Sequence, residues 1–228
     1  MDPLINEYLK LYQHFKDNGH QLFLVGGTVR DYLLGIPLTD MDAVTDATPE
    51  QMKSFLETAD YTFERFGSVK YYTDKKVKFD ITTLREEKHY ADRRHPEKVR
   101  FIKDLSVDAQ RRDFTINALY LNGGLKVLDY VDGEKDLNNH ILRMIGDPLV
   151  RLKEDPLRII RAFRFASDFD LTIDGELQNG IKECSQYLEK LNIEKIKEDI
   201  KKSKPESREK IKKLFADYNI NLAKDVLE

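Results

Sequence analysis

Cysteine is nearly absent from this chain: Cys184 is the single one in 228 residues. One thiol cannot close an internal disulfide, which excludes a stapled secreted scaffold and favours a reducing, cytoplasmic setting. Long apolar runs are missing too, so no segment reads as a bilayer-spanning helix, and the N-terminus carries no signal-peptide pattern. There is no internal repeat and no low-complexity tract. Strong net charge is also lacking: the formal value of −3 argues against a uniformly basic nucleic-acid binder. The charge is instead unevenly placed. Residues 195–213 hold nine basic against four acidic residues, a net of +5, and residues 85–103 hold seven against four. Each run is either a solvated face or a salt-sensitive contact to an RNA backbone.

What is present is an ordinary apolar share of 40% with 35% charged residues, enough for one large or two small cores. Residues 1–16 place Leu4, Ile5, Tyr8, Leu9, Tyr12 and Phe15 at helical spacing. A short apolar strand, residues 21–25, then feeds Gly26-Gly27, and a helix follows from Thr28 until Gly35 and Pro37 end it. Residues 41–44 read as a strand, and Thr48-Pro49-Glu50 opens a capped helix. Strands are expected at 62–66, 69–73 and 77–83, a charged connection at 85–103, a helix at 106–119, and strands at 120–121 and 126–129. Beyond about residue 141 the strand signals fade. One helix is expected over 149–169, followed by helical sequence broken near Ser203-Lys204-Pro205. The reading is an α+β head over residues 1–140 and an all-α region over 141–228, connected closely enough to pack around a cleft.

Four constellations carry chemistry. Asp40 and Asp42, one residue apart on extended backbone, point to the same side. Two carboxylates on one face repel, and a hard divalent cation relieves that repulsion. Gly26 and Gly27 leave bare N–H groups that can approach a phosphate, with Arg30 one turn on. Asp80 is a third carboxylate; it alternates with Phe79 and Ile81, and would support the pair if its strand lies beside theirs. Arg112, Asp113 and Asn117 combine a guanidinium, an acid and an amide, a set suited to phosphate oxygens and ribose hydroxyls, with Asn117 four residues after Asp113 on one helix face. Asp155, Arg158, Arg161 and Arg164 recur every third residue along the expected 149–169 helix. Three close arginines need anions or acids to compensate them, and an Asp–Arg pair can read the edge of a base.

In this order the blocks resemble the class II tRNA nucleotidyltransferases, the bacterial and eukaryotic CCA-adding enzymes, and the related bacterial poly(A) polymerases. The matching segments are Gly26-Gly27-Thr28-Val29-Arg30-Asp31, Leu38-Thr39-Asp40-Met41-Asp42, residues 111–119, Asp132-Gly133-Glu134-Lys135-Asp136-Leu137 and residues 154–165. The resemblance implies a polymerase-β-like head, a mixed sheet with flanking helices, followed by a helical neck that closes the cleft. It implies template-independent addition of C and A from CTP and ATP to the 3′ end of tRNA, with release of pyrophosphate. Asp40 and Asp42 would be the catalytic ligands of Mg²⁺, and Gly27 and Arg30 would bind phosphates. Arg112 and Asp113 would bind phosphate and ribose, Asp155 and Arg158 would pair with the base, and Arg161 and Arg164 would complete the nucleotide site. Residues 132–137 match a hinge-like motif. The segment 86–100, with Tyr90, Asp92-Arg93-Arg94 and Pro96, resembles the flexible loop of CCA- and A-adding members. An A-adding enzyme or poly(A) polymerase is the nearest alternative, and a non-catalytic nucleotide- or RNA-binding module the alternative of another class. Family members ordinarily continue through body and tail domains that grip tRNA; only head and neck segments match here.

Overall fold

The computed structural model describes residues 2–90 and 96–220. Asp92, Arg93 and Arg94 of the expected loop, and residues 221–228, lie outside the described residues. The chain divides into two compact units: residues 1–89, 96–112 and 116–134 form one, and residues 113–115 and 135–220 belong to the other. Among the described residues no helix is long and apolar enough to cross a membrane.

The first unit is built on a six-stranded mixed sheet. Its strands are β1 (Leu22–Val25), β2 (Met41–Thr45), β3 (Ser68–Tyr72), β4 (Lys78–Thr83), β7 (Leu119–Leu121) and β8 (Val127–Asp129), in the order β3-β4-β2-β1-β7-β8. Only β2 and β4 run parallel; the remaining pairs are antiparallel. The charged stretch after β4, expected to be a plain connection, instead pairs as a separate ribbon of β5 (Arg85–Tyr90) and β6 (Pro96–Phe101). Extended pairing satisfies its backbone groups where no apolar periodicity announced a strand. A second difference is at residues 62–66. There Asp60 Oδ1 accepts from Thr62 N at 2.9 Å, and a single 3-10 turn, Glu64–Phe66, ends at Gly67 in the left-handed region, φ 77°. A turn that closes on its own side chains leaves no free edge for a ladder.

Three helices support the sheet: α1 (Pro3–Asp17), α2 (Gly27–Leu33) and α3 (Pro49–Lys53). Helix α1 buries Ile5, Tyr8 and Phe15 of the expected stripe, together with Leu11, while Leu4, Leu9 and Tyr12 stay half-buried. Tyr8 is fully buried, and its hydroxyl sits 3.1 Å from the Leu22 carbonyl and 2.9 Å from that of Leu121, tying the helix to β1 and β7. Burying each such side chain contributes about 1.5–3 kcal/mol, so the stripe, not helix propensity, holds α1 in place. Helix α3 starts in a full capping box between Thr48 and Gln51. Helix α4 (Leu105–Gln110) is shorter than the 106–119 helix expected. It stops because the backbone beyond it is claimed elsewhere: Thr115 N donates to Arg143 O and Ile145 N to Asp113 O, both at 3.0 Å.

Helix α5 (Gly133–Asn138) carries the chain into the second unit, in which β9 (Ile141–Leu142) and β10 (Thr172–Ile173) form a small parallel pair. Five helices follow or flank them: α6 (Pro148–Glu154), α7 (Leu157–Asp168), α8 (Gly175–Cys184), α9 (Ile193–Ile200) and α10 (Arg208–Asp217). Here α6 and α7 replace the single helix expected over 149–169. Pro156 lacks an N–H and pushes the residue before it out of the helical region, and Asp155 duly adopts φ −145°, ψ 94°. Helix α8 packs closely on α6 through Gly180, where a Cβ would stand 2.8 Å from Pro148 Cβ. Helix α7 buries Ile159, Ile160, Ala162 and Phe163 as the core of the unit.

Candidate active site

The first unit gathers its functional groups at the start of β2 and the end of β1. Gly26, between β1 and α2, has φ 69° and ψ −135°, a conformation essentially reserved for glycine. A Cβ there would stand 4.0 Å from Asp42 Oδ2 and 3.9 Å from an Arg112 nitrogen. The bare backbone thus lies between an acid and a guanidinium. Gly27 begins α2.

Asp42 and Asp80 are register partners of the parallel strands β2 and β4, so their side chains share a face. Asp42 lines a cavity of about 220 Å³ together with Gly26, Asp80, Arg85, Arg111 and Arg112. Burial pushes the Asp42 carboxyl up to about 6; Asp80 adds to this, Arg112 opposes it, and Asp40 adds again. Asp40 itself is exposed, immediately before β2. Asp80 is ion-paired to Lys78 at 2.6 Å. Among the described residues no group of three or more His, Cys, Asp or Glu side chains forms a ready-made metal cage. Acids crowded against each other still fit a cation, since magnesium characteristically takes one or two carboxylates and completes its shell with phosphate oxygens and water.

Two residues not singled out from the sequence organise this site. Thr28 is buried, and its hydroxyl donates to Asp40 O and accepts from Asp42 N, both at 2.9 Å. One side chain on α2 therefore pins the backbone of both aspartates. The only sequence signal for it is a hydroxyl immediately after Gly26-Gly27. Asp108 is the second. It is fully buried on α4 and pairs with Arg111 at 2.8 Å and Arg112 at 2.9 Å, while also accepting from Tyr120 Oη at 2.9 Å. Burial raises its carboxyl, but Arg112 and Arg111 outweigh that and hold it at about 2. Its spacing of three and four residues from the two arginines was a readable signal.

Arg30 is buried. Its Nε and one terminal nitrogen donate to Asp31 Oδ1 at 2.9 and 2.8 Å, and the other to Asn117 Oδ1 at 2.7 Å. The guanidinium thus braces the underside of the Gly26-Gly27 turn. Contrary to the expectation of one shared helix face, Asn117 and Asp113 are not on a common helix. Asn117 closes a single 3-10 turn in the first unit, whereas Asp113 belongs to the second unit. Asp113 is buried there and ion-paired to Arg161 at 2.5 Å.

In the second unit the guanidinium row runs along α7 without Asp155, which lies at the break before it and whose Oδ1 accepts from Leu157 N at 3.1 Å. Arg158 is buried, donating to Arg151 O at 2.7 Å and to Glu154 at 3.3 Å. Arg164 donates to Asp199 at 3.0 Å, and burial moves its proton affinity down. With Arg161 on Asp113, each of the three arginines has an acid of its own chain. The compensation that like charges in a row require is supplied internally.

Residues 22–143 match the family profile described as the poly A polymerase head domain. A curated relative named CCA-adding enzyme, from Ligilactobacillus salivarius (strain UCC118), is 42% identical over 189 residues, covering 82% of this chain and 46% of its own. Among solved structures, the Bacillus stearothermophilus CCA-adding enzyme in complex with CTP is 27% identical with a TM-score of 0.87, over 97% of this chain and 54% of that one. The Thermotoga maritima CCA-adding enzyme complexed with tRNA is 25% identical with a TM-score of 0.76, over 96% and 52%. The chain spans about half the length of the curated relatives it matches.

Proposed function

Because the chain belongs to the poly A polymerase head domain family, we propose that it transfers nucleotidyl groups from CTP and ATP to the 3′ hydroxyl of tRNA, building a CCA end without a nucleic-acid template. In this reaction the hydroxyl oxygen attacks the α-phosphorus of the triphosphate and pyrophosphate leaves. One observation carries the reading: Asp42 and Asp80 share a cavity with Gly26 and Arg112, so acids for a cation and donors for a phosphate converge on one small volume. The names of the similar enzymes, one bound to CTP and another to tRNA, agree with it.

Asp40 and Asp42 would hold Mg²⁺, which when bound supplies charge neutralisation of the triphosphate and a more acidic 3′ hydroxyl. The remaining roles belong to the chain itself. Gly26 and Gly27 offer backbone N–H groups to phosphate oxygens at the start of α2. Arg112, held in place by Asp108, presents a fixed positive charge to the same anion. Arg30 and Asn117 brace the turn. Asp155, at the break before α7, and Arg158 in its first turn would select the base, and Arg161 and Arg164, farther along α7, would be additional nucleotide-binding arginines.

The test is incubation with tRNA lacking its terminal CCA and each of the four triphosphates separately, with magnesium. Incorporation of CTP and then ATP, stopping at a defined CCA, is expected. Uptake of all four nucleotides, or of none, counts against the reading. A long A tail or a single added A would reassign it to the poly(A) or A-adding branch.

A further inference from the structure

The row that begins at the carboxylates does not end at them. Asp80 on β4 is in turn the register partner of Lys70 on β3, the edge strand. Asp42, Asp80 and Lys70 therefore stand side by side on one face across three adjacent strands. At the usual spacing of about 4.8 Å per strand, Lys70 lies about 10 Å from the Asp42 position. The Lys70 ammonium sits over the ring of Phe63, 5.5 Å from its centroid, and that ring is 48% exposed. Phe63 belongs to the turn that closes at Gly67, and this turn is tied back to the same cavity: Arg85, one of its lining residues, donates to the Phe66 carbonyl. An exposed aromatic ring capped by a cation thus stands on a turn anchored to the acidic pocket.

We propose that Phe63 and Lys70 form a primer subsite, in which the ring stacks on a base next to the RNA 3′ end and the ammonium binds the adjoining backbone phosphate. The inference rests on the transferase reading above and names where its RNA substrate is gripped. A ring face accepts any base, and a single ammonium accepts any phosphate, so the subsite holds the strand without reading it. The anion it takes comes either from the RNA backbone or from the triphosphate, and the two sources separate in the assay.

The experiment measures KM for tRNA lacking its terminal nucleotides and KM for CTP, in the whole chain and in the variants Phe63→Ala, Phe63→Tyr and Lys70→Ala. Phe63→Ala is expected to raise the RNA KM about tenfold, in the range of a lost base–aromatic stack, with the CTP KM unchanged and Phe63→Tyr restoring it. Lys70→Ala is expected to lower the salt slope of RNA binding by about 0.7, the share of one single-strand phosphate contact. A CTP KM that rises with Phe63→Ala or Lys70→Ala assigns the anion to the triphosphate and overturns the proposal, as does an unchanged RNA KM. Fluorescence anisotropy of a labelled single-stranded RNA ending in CC, read without any triphosphate, tests the stack independently of turnover. Weaker binding by Phe63→Ala supports the subsite even if incorporation fails, and equal binding by wild type and Phe63→Ala rejects it even if incorporation succeeds.

Discussion

Asp42 and Asp80 face each other as register partners across parallel strands, two carboxylates on one half-buried surface. Like charges directly opposed in a sheet destabilise it. The fold therefore carries an electrostatic cost at the place where the proposed chemistry needs a cation.

That cost is measurable through pH. The Asp42 carboxyl is raised to about 6 by burial first and by Asp80 next, against about 3.9 in an unfolded chain. Between these values the folded state binds more protons than the unfolded one, so stability declines as pH rises from about 4 to about 6. Asp42→Asn removes the charge. In chelator at pH 8 it should be more stable than wild type by roughly 1–3 kcal/mol, with the advantage gone at pH 4 and nucleotidyl transfer abolished. Thermal melts across pH check this; an equal or lower Tm at pH 8 would refute the assignment of that cost.

Thr28 offers a cleaner separation of shape from chemistry. Its hydroxyl serves both Asp40 O and Asp42 N, so Thr28→Val leaves a part-buried donor and acceptor without this partner, at about 1 kcal/mol. Thr28→Ser keeps the hydroxyl and should recover most of the loss. Urea titration of the three proteins decides it, and equal midpoints for Val and Ser would show that the bridge is unimportant.

Asp108 predicts the opposite pH behaviour to Asp42. Burial raises its carboxyl, but Arg112 and Arg111 bring it down to about 2. Its contribution is therefore present above about pH 4 and lost as pH falls toward 2. Asp108→Asn should cost about 3–5 kcal/mol at pH 7 by leaving buried guanidinium groups uncompensated, and should flatten the acid limb of the stability curve. A variant with an unchanged acid limb would contradict the pairing.

The two glycines should respond differently. A Cβ at Gly26 meets nothing nearer than 3.9 Å, so Gly26→Ala suffers from its φ of 69° alone, at about 1–3 kcal/mol. Gly27 begins a helix, and its Cβ would meet the flexible end of Arg30 at 3.3 Å, so Gly27→Ala should cost less. Calorimetry of both variants tests the order, and a reversed ranking would show that space, not backbone conformation, governs the turn.

Local features were readable along the chain because their causes are local. A short apolar run placed β1 and alternation placed β4, Gly26-Gly27 announced the strand-to-helix turn, and Thr48-Pro49-Glu50 announced a cap that the fold forms. The acidic pair at 40 and 42 was legible only in part: Asp42 lies on β2, whereas Asp40 stands exposed just before the strand begins, so the alternation of strand side chains does not reach it. Helix ends were less readable. At Gln110 the chain leaves helical form because hydrogen bonds to Arg143 and Ile145 hold the following backbone, and these partners lie in a distant stretch of sequence. At Asp155 the reason was local, since Pro156 alone dictates the break, although the row of arginines read as one continuous helix. The adjacency of Asp42, Asp80 and Lys70 belongs to the tertiary structure entirely. It depends on strand order and register, which are set by which apolar faces pack together over the whole sheet. No spacing along the chain encodes that β4 lies between β2 and β3, and it is that order which turns separate charges into one row.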